Sequence, residues 1–120
     1  YTVGLVGTWH HAEIAVVGLA PEWGTRLLHL IAEDVAGGLT YTPAGRYGGV
    51  LARGEVAFRA IPPALAARHL RLAARFVAPA PLAALQCLWP DRDGRLPDDA
   101  GCDRDLLDSQ PFLDDLPDPS

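Results

Sequence analysis

Gly49-Val50-Leu51-Ala52-Arg53-Gly54-Glu55-Val56-Ala57-Phe58-Arg59-Ala60-Ile61 decides the fold. Two apolar runs flank Arg53-Gly54, and a glycine at so short a link predicts a β-hairpin over 49–52 and 55–61. Pro62-Pro63 stops the second strand and opens a helix of about 64–77. Leu65, His69, Leu72 and Phe76 fall on one stripe of that helix, and Arg68, Arg71 and Arg75 on another. Pro79 and Pro81 stop it. Ala84-Leu85-Gln86-Cys87-Leu88-Trp89 then reads as a strand closed by Pro90. Upstream, Thr2-Val3-Gly4-Leu5-Val6 reads as a short strand, and Gly7 to Ala12 as a hairpin loop. Glu13-Ile14-Ala15-Val16-Val17-Gly18-Leu19 is the next strand; it is apolar on both faces, so a central, covered place is expected. Pro21-Glu22 opens a helix in which Leu27, Leu28, Ile31 and Val35 recur at helical spacing, and Gly37-Gly38 ends it. Residues 39–46 are a loop. The order ββαββαβ has hairpins where a doubly wound fold would alternate strand and helix. The expected class is α+β: one domain, a mostly antiparallel (mixed) sheet of about five strands with two main helices.

Charge divides the chain of 120 residues. Residues 1–90 hold seven Arg and five acids, a net of +2; residues 91–120 hold three Arg and ten Asp, a net of −7. We therefore expect a globular domain over 1–95 and an acidic, Pro- and Asp-rich tail over 96–120. The tail should be mostly loop, partly packed around 109–113, with 116–120 disordered. A net charge of −5 argues against a phosphate-tracking nucleic-acid binder. Apolar runs are too short to span a membrane. Two Cys make no disulfide framework, so a reducing, cytoplasmic setting is the expectation. The chain opens at Tyr1 with no Met before it, and residues upstream are expected.

Several chemistries are excluded by what is missing. The chain has no Lys, hence no Walker lysine and no Schiff base. Ser occurs only at Ser109 and Ser120, so there is no G-x-S-x-G nucleophile. No C-x-x-C or H-E-x-x-H is present. Two polar clusters remain. In Trp9-His10-His11-Ala12-Glu13, a strand beginning at His11 would put His11 and Glu13 on one face, as a general-base pair or as part of a divalent-metal site. The competing reading is a solvated turn with Trp9 covering a core edge. In Trp89-Pro90-Asp91-Arg92-Asp93-Gly94-Arg95, Asp91 suits a carboxylate base and Arg92 a fork for an anionic substrate. The competing reading there is a turn capped by Asp side chains. Cys87 reads as a buried, inert thiol.

Tyr1-Thr2-Val3-Gly4-Leu5, the strand Glu13 to Leu19, and Leu85-Gln86-Cys87-Leu88-Trp89-Pro90-Asp91-Arg92-Asp93-Gly94-Arg95 together resemble a bacterial family, domain of unknown function 4262. Ser109-Gln110-Pro111-Phe112-Leu113 is similar to its closing Q-P-x-L element. The resemblance implies a further segment before the Y-T-V-G-L block. It marks Trp89, Asp91, Arg92, His11 and Glu13 as family-like positions and supplies no activity. Where the family continues from G-R into F-P-W, this chain has Leu96-Pro97-Asp98.

The function expected first is small-molecule binding or catalysis near these strand ends. His11, Glu13 and Asp91 are the catalytic candidates; Trp9, His10, Trp89 and Arg92 are the binding candidates. No residue is assigned to a metal and no cofactor is named. The first alternative is an acidic protein–protein interaction module of immunity or regulatory type. The second is a metal-dependent enzyme built on His10, His11 and Glu13. Expected partners are a small-molecule ligand or a protein, without nucleic acid or membrane; an exposed sheet edge would also suit a homodimer.

Overall fold

The computed structural model describes residues 1–51, 54–91 and 93–114. Among them are five helices and four strands: α1 (Leu5–Trp9), β1 (Glu13–Val16), α2 (Pro21–Ala36), β2 (Arg46–Tyr47), β3 (Val56–Ile61), α3 (Pro63–His69), α4 (Arg71–Val77), β4 (Ala84–Leu88) and α5 (Arg104–Ser109). The sheet runs β1-β4-β3-β2. β1 lies parallel to β4, with Ile14 opposite Leu85 and Val16 opposite Cys87. β3 is antiparallel to both β4 and β2. The class is α+β with a mixed sheet, as the hairpin reading predicts.

Alternation along the strands divides the core. Ile14, Val56, Phe58, Leu85 and Cys87 pack with Leu27, Ile31 and Val35 of α2 on one face. Ala15, Ile61 and Ala84 pack with Ala66, Leu70 and Ala73 on the other. All five residues of β4 are buried, so β4 is the covered central strand. The expectation that the 13–19 strand holds that place is corrected: β1 is an edge strand. Its free edge is occupied by Thr2, whose N–H donates to the Ile14 carbonyl (2.9 Å) and whose hydroxyl accepts from the Ile14 N–H (2.8 Å).

Three further expectations change. The 2–6 strand is instead a turn leading into α1, because the Gly4, Leu5 and Val6 N–H groups donate to a carboxylate rather than to a neighbouring strand. Gly7 to Ala12, expected as a hairpin loop, is then mostly α1 and its end. The hairpin strand at 49–52 is replaced by β2, which pairs Arg46 with Ala57 and Tyr47 with Val56. Val50 and Leu51 lie in the connection, and residues 52 and 53 fall outside the described residues. The 64–77 helix is two helices, broken at Leu70 (φ −115°, ψ 60°). The break buries Ala66, Leu70 and Ala73 and leaves Leu72 and Phe76 in solvent.

Beyond residue 95 the chain carries buried side chains. Leu96, Leu106, Gln110 and Leu113 are all enclosed, and α5 is capped by the Asp103 carboxylate accepting from the Asp105 N–H. Residues 116–120 lie outside the described residues. Among the described residues no helix is long and apolar enough to cross a membrane.

Candidate functional site

An open concavity lies along α2. Pro21 at the first helical position and Glu22 in the first turn start that helix, and Gly37 ends it. Gly24 lets it approach β1: a Cβ there would sit 3.4 Å from Val16 Cγ1. Its buried stripe is Gly24, Leu27, Ile31 and Val35. A second stripe, Trp23, Arg26, Leu27 and Leu30, forms one wall of an 800 Å³ groove, extended by Leu19 before the helix. Val50 and Leu51 of the β2–β3 connection line it too, and Trp89, Pro90 and Asp91 beyond β4 complete it.

The Trp89 wall is held firmly. The indole N–H donates to the Val17 carbonyl at 2.9 Å. The Trp89 main chain exchanges two hydrogen bonds with the Gln110 amide: its N–H donates to Oε1 (3.1 Å) and its carbonyl accepts from Nε2 (2.8 Å). Trp89 therefore has no donor left and offers the groove an apolar ring surface. Trp23 is 58% exposed. A tryptophan so exposed on a helix whose adjacent stripe fills the core is the kind of surface that ligands cover.

Asp91 sits at the rim as a loop organiser. Its Oδ1 accepts from the Asp93 and Arg95 N–H groups, both at 2.9 Å, and its Oδ2 from the Asp103 N–H at 3.0 Å. These N–H groups, Arg95 first, hold its carboxyl below the ordinary carboxylate range. Trp89, Pro90 and Asp91 also back onto a second, 520 Å³ hollow lined by Asp103, Asp105, Leu106 and Ser109.

His11 and Glu13 are placed elsewhere, under α1, and their polar atoms are engaged within the chain. Glu13 is 1% exposed. Its Oε1 accepts from the Leu5 N–H (3.1 Å) and the Thr2 hydroxyl (2.7 Å); its Oε2 accepts from Gly4 and Val6 (3.0 and 3.1 Å). It is the cap of α1, reached from the following strand. His11 donates from Nδ1 to the Ala12 carbonyl (2.8 Å) and accepts at Nε2 from the Tyr41 N–H (3.0 Å). That arrangement requires the neutral Nδ1–H tautomer. Tyr41 in turn donates from its hydroxyl to Asp34 at 2.6 Å, and burial followed by that bond pushes its phenol well up.

Trp9 and His10 are exposed at the end of α1, where His10 takes a left-handed conformation (φ 53°) as its C-cap. Arg92 lies outside the described residues. So the structure brings Trp89 and Asp91 to the groove, and sets His11, Glu13, Trp9 and His10 apart from its walls. Among the described residues no three His, Cys, Asp or Glu side chains converge to hold a metal. Cys87 is enclosed, and burial pushes its thiol up to about 12. The α2 half of the groove was not anticipated from the sequence. Its signal is there, however: Trp23, Leu27 and Leu30 recur at helical spacing with Arg26 among them, beside the stripe that fills the core.

The fold and groove together define an α+β domain with a mixed four-stranded sheet covered by helices on both faces and an apolar cleft at one strand end. The chain belongs to the family described as domain of unknown function (DUF4262), whose model matches residues 1–103. No curated protein and no solved structure matches the chain.

Proposed function

We propose that this protein binds a small molecule with an apolar, flat body in the groove between α2 and the Trp89-Pro90-Asp91 turn. One observation carries the reading: two tryptophans, Trp23 and Trp89, line a single 800 Å³ concavity, one of them largely exposed. That size lies in the range of about 300–1,000 Å³ usual for ligand sites, and aromatic rings supply most of the contact there. Position agrees with it, since Trp89 and Asp91 follow the end of a central strand on a rigid scaffold. His11 and Glu13 support the scaffold in this reading, because neither has a polar atom left for chemistry.

The acidic-module alternative has less behind it. Asp91 caps its own loop, Asp99 pairs with Arg46, and Asp114 pairs with Arg59 at 2.7 Å. Three of the ten Asp of residues 91–120 are thus engaged by partners within the chain.

The test is titration with N-phenyl-1-naphthylamine, a neutral aromatic probe, followed by its own fluorescence. The wild type should bind it stoichiometrically. Trp23→Ala should weaken binding about tenfold or more while the melting temperature stays within a few degrees, because an exposed side chain contributes little to folding. Equal binding by both proteins would remove the groove from consideration.

A further inference from the structure

The hydrogen-bonding capacity that remains in the groove is unequal, and the inequality selects a ligand. It rests on the groove being the binding site. Among the described residues two charged side chains line the groove, Arg26 from α2 and Asp91 from the far wall. A carboxylate has about four acceptor positions. Three of those of Asp91 are taken by the N–H groups of Asp93, Arg95 and Asp103. Its charge is already met by backbone dipoles, which is why its carboxyl is held low. Arg26 is the reverse case. It is exposed on α2, and among the described residues nothing pairs with its guanidinium, although Glu22 stands one turn earlier. A guanidinium carries five N–H donors in a planar fork suited to carboxylate, sulfonate or phosphate oxygens.

The apolar lining raises the value of that charge. Leu27, Leu30, Trp23 and Trp89 surround the approach with groups that hold little water, and a charge pair beside such surface is screened less than one in open solvent. Trp89 adds no competing donor, since its indole N–H is held by Val17. Among the described side chains of the groove, free donors therefore outnumber free acceptors.

We infer that the ligand is an amphipathic anion: an apolar, flat body lying between Trp23 and Trp89, with a carboxylate or similar oxyanion taken by Arg26. Arg26 is then a specificity-determining residue. It selects for the anion, while the tryptophans bind the body.

A matched pair of probes separates the two statements. 8-Anilino-1-naphthalenesulfonate has the ring system of N-phenyl-1-naphthylamine plus one sulfonate. Both are titrated into the full chain, wild type and Arg26→Gln, with circular dichroism confirming that each protein is folded. The substitution should weaken the sulfonate about tenfold and leave the neutral probe within twofold, and Arg26→Lys should recover part of the loss. Raising the salt should weaken only the sulfonate. If Arg26→Gln changes both probes equally, or neither, the anion preference is wrong while the groove stands. If neither probe binds, or Trp23→Ala affects neither, both the groove and the anion preference fail.

Discussion

A carboxylate with 1% exposure persists only where its lone pairs are used, and Glu13 meets that condition with three backbone N–H groups and the Thr2 hydroxyl. These are the donors an α-helix leaves open at its start, so Glu13 fixes both the entry to α1 and the edge of β1. Glu13→Ala should cost about 3 kcal/mol or more in urea unfolding, since each buried donor left unpaired costs about 1–3 kcal/mol. Glu13→Gln should lose part of this, because its amide N–H₂ would face donors. A Glu13→Gln protein of unchanged stability but altered function would restore a chemical role to the residue. His11 follows the same logic: His11→Ala would leave the Tyr41 N–H without its partner, at about 1–3 kcal/mol. The cluster is legible in the sequence as polar residues near a strand start. Its use is not, because the groups that occupy Glu13 lie up to 11 residues away and the donor that occupies His11 Nε2 lies 30 away.

Whole elements divide into those whose ends are written locally and those set by packing. α2 is of the first kind: Pro21 starts it, Gly37 and Gly38 (φ 103°) stop it, and its apolar spacing names the buried face. β4 is the same, bounded by prolines and apolar except for Gln86 at its centre. The 63–77 region is of the second kind. A period of 3.6 drawn through it selects Leu65, His69, Leu72 and Phe76, but the break at Leu70 rotates the second half. Leu72 and Phe76 are left 49% and 73% exposed while Leu70 falls to 1%. Leu70→Ala should therefore cost about 2–5 kcal/mol, whereas Leu72→Ala and Phe76→Ala should each stay within about 0.5 kcal/mol; chemical unfolding of the three variants decides. A second consequence concerns the 91–103 loop. The Arg46 guanidinium, then the Leu96 N–H, hold the Asp99 carboxyl at about 2, below its ordinary 3.8, and Asp91 is lowered by backbone N–H groups. Both groups bind protons less tightly folded than unfolded. Their stabilisation is present above the ordinary carboxylate value and fades as pH falls toward about 2. Asp99→Asn should flatten that acid limb, read as urea midpoint against pH, and leave the slope near pH 7 untouched. The groove itself was half legible. Trp89 and Asp91 stand at a strand end, where chain reversal and polar residues attract notice. Arg26 and Trp23 belong to a helix flank that looks like ordinary surface until β4 brings Trp89 alongside.

At the scale of the molecule, the match to the family ends at residue 103 while the folded chain goes on. Among the residues after α5, Leu113 packs on the sheet face that α3 and α4 share. Two glutamines tie them down. Gln86, in the middle of β4, donates to the Pro111 carbonyl (2.9 Å) and accepts from the Leu113 N–H (2.8 Å). Gln110 answers with its two bonds to the Trp89 main chain. Both side chains are fully buried, an unfavourable place for an amide unless its bonds are met. The Arg59 guanidinium lies 4.1 Å over the Phe112 ring and pairs with Asp114, closing the strap over β3. At the other end, Gly18 (φ 91°) passes so near the Ser109 carbonyl that an added Cβ would collide with it. The segment therefore braces the Val17–Leu19 turn and Trp89, which form one end of the groove. Ending the chain after residue 103 would uncover Gln86 and Leu88, orphan the Trp89 main chain and unfasten the turn before α2. The loss should be on the order of 5 kcal/mol, comparable with the whole stability of a domain this size. Circular dichroism should then find no cooperative melt for residues 1–103, and Gln110→Ala in the full chain should lower stability by about 2–3 kcal/mol. A cooperative transition in the shortened chain with Trp89 still shielded from fluorescence quenchers would mean that the sheet and groove are complete without the strap.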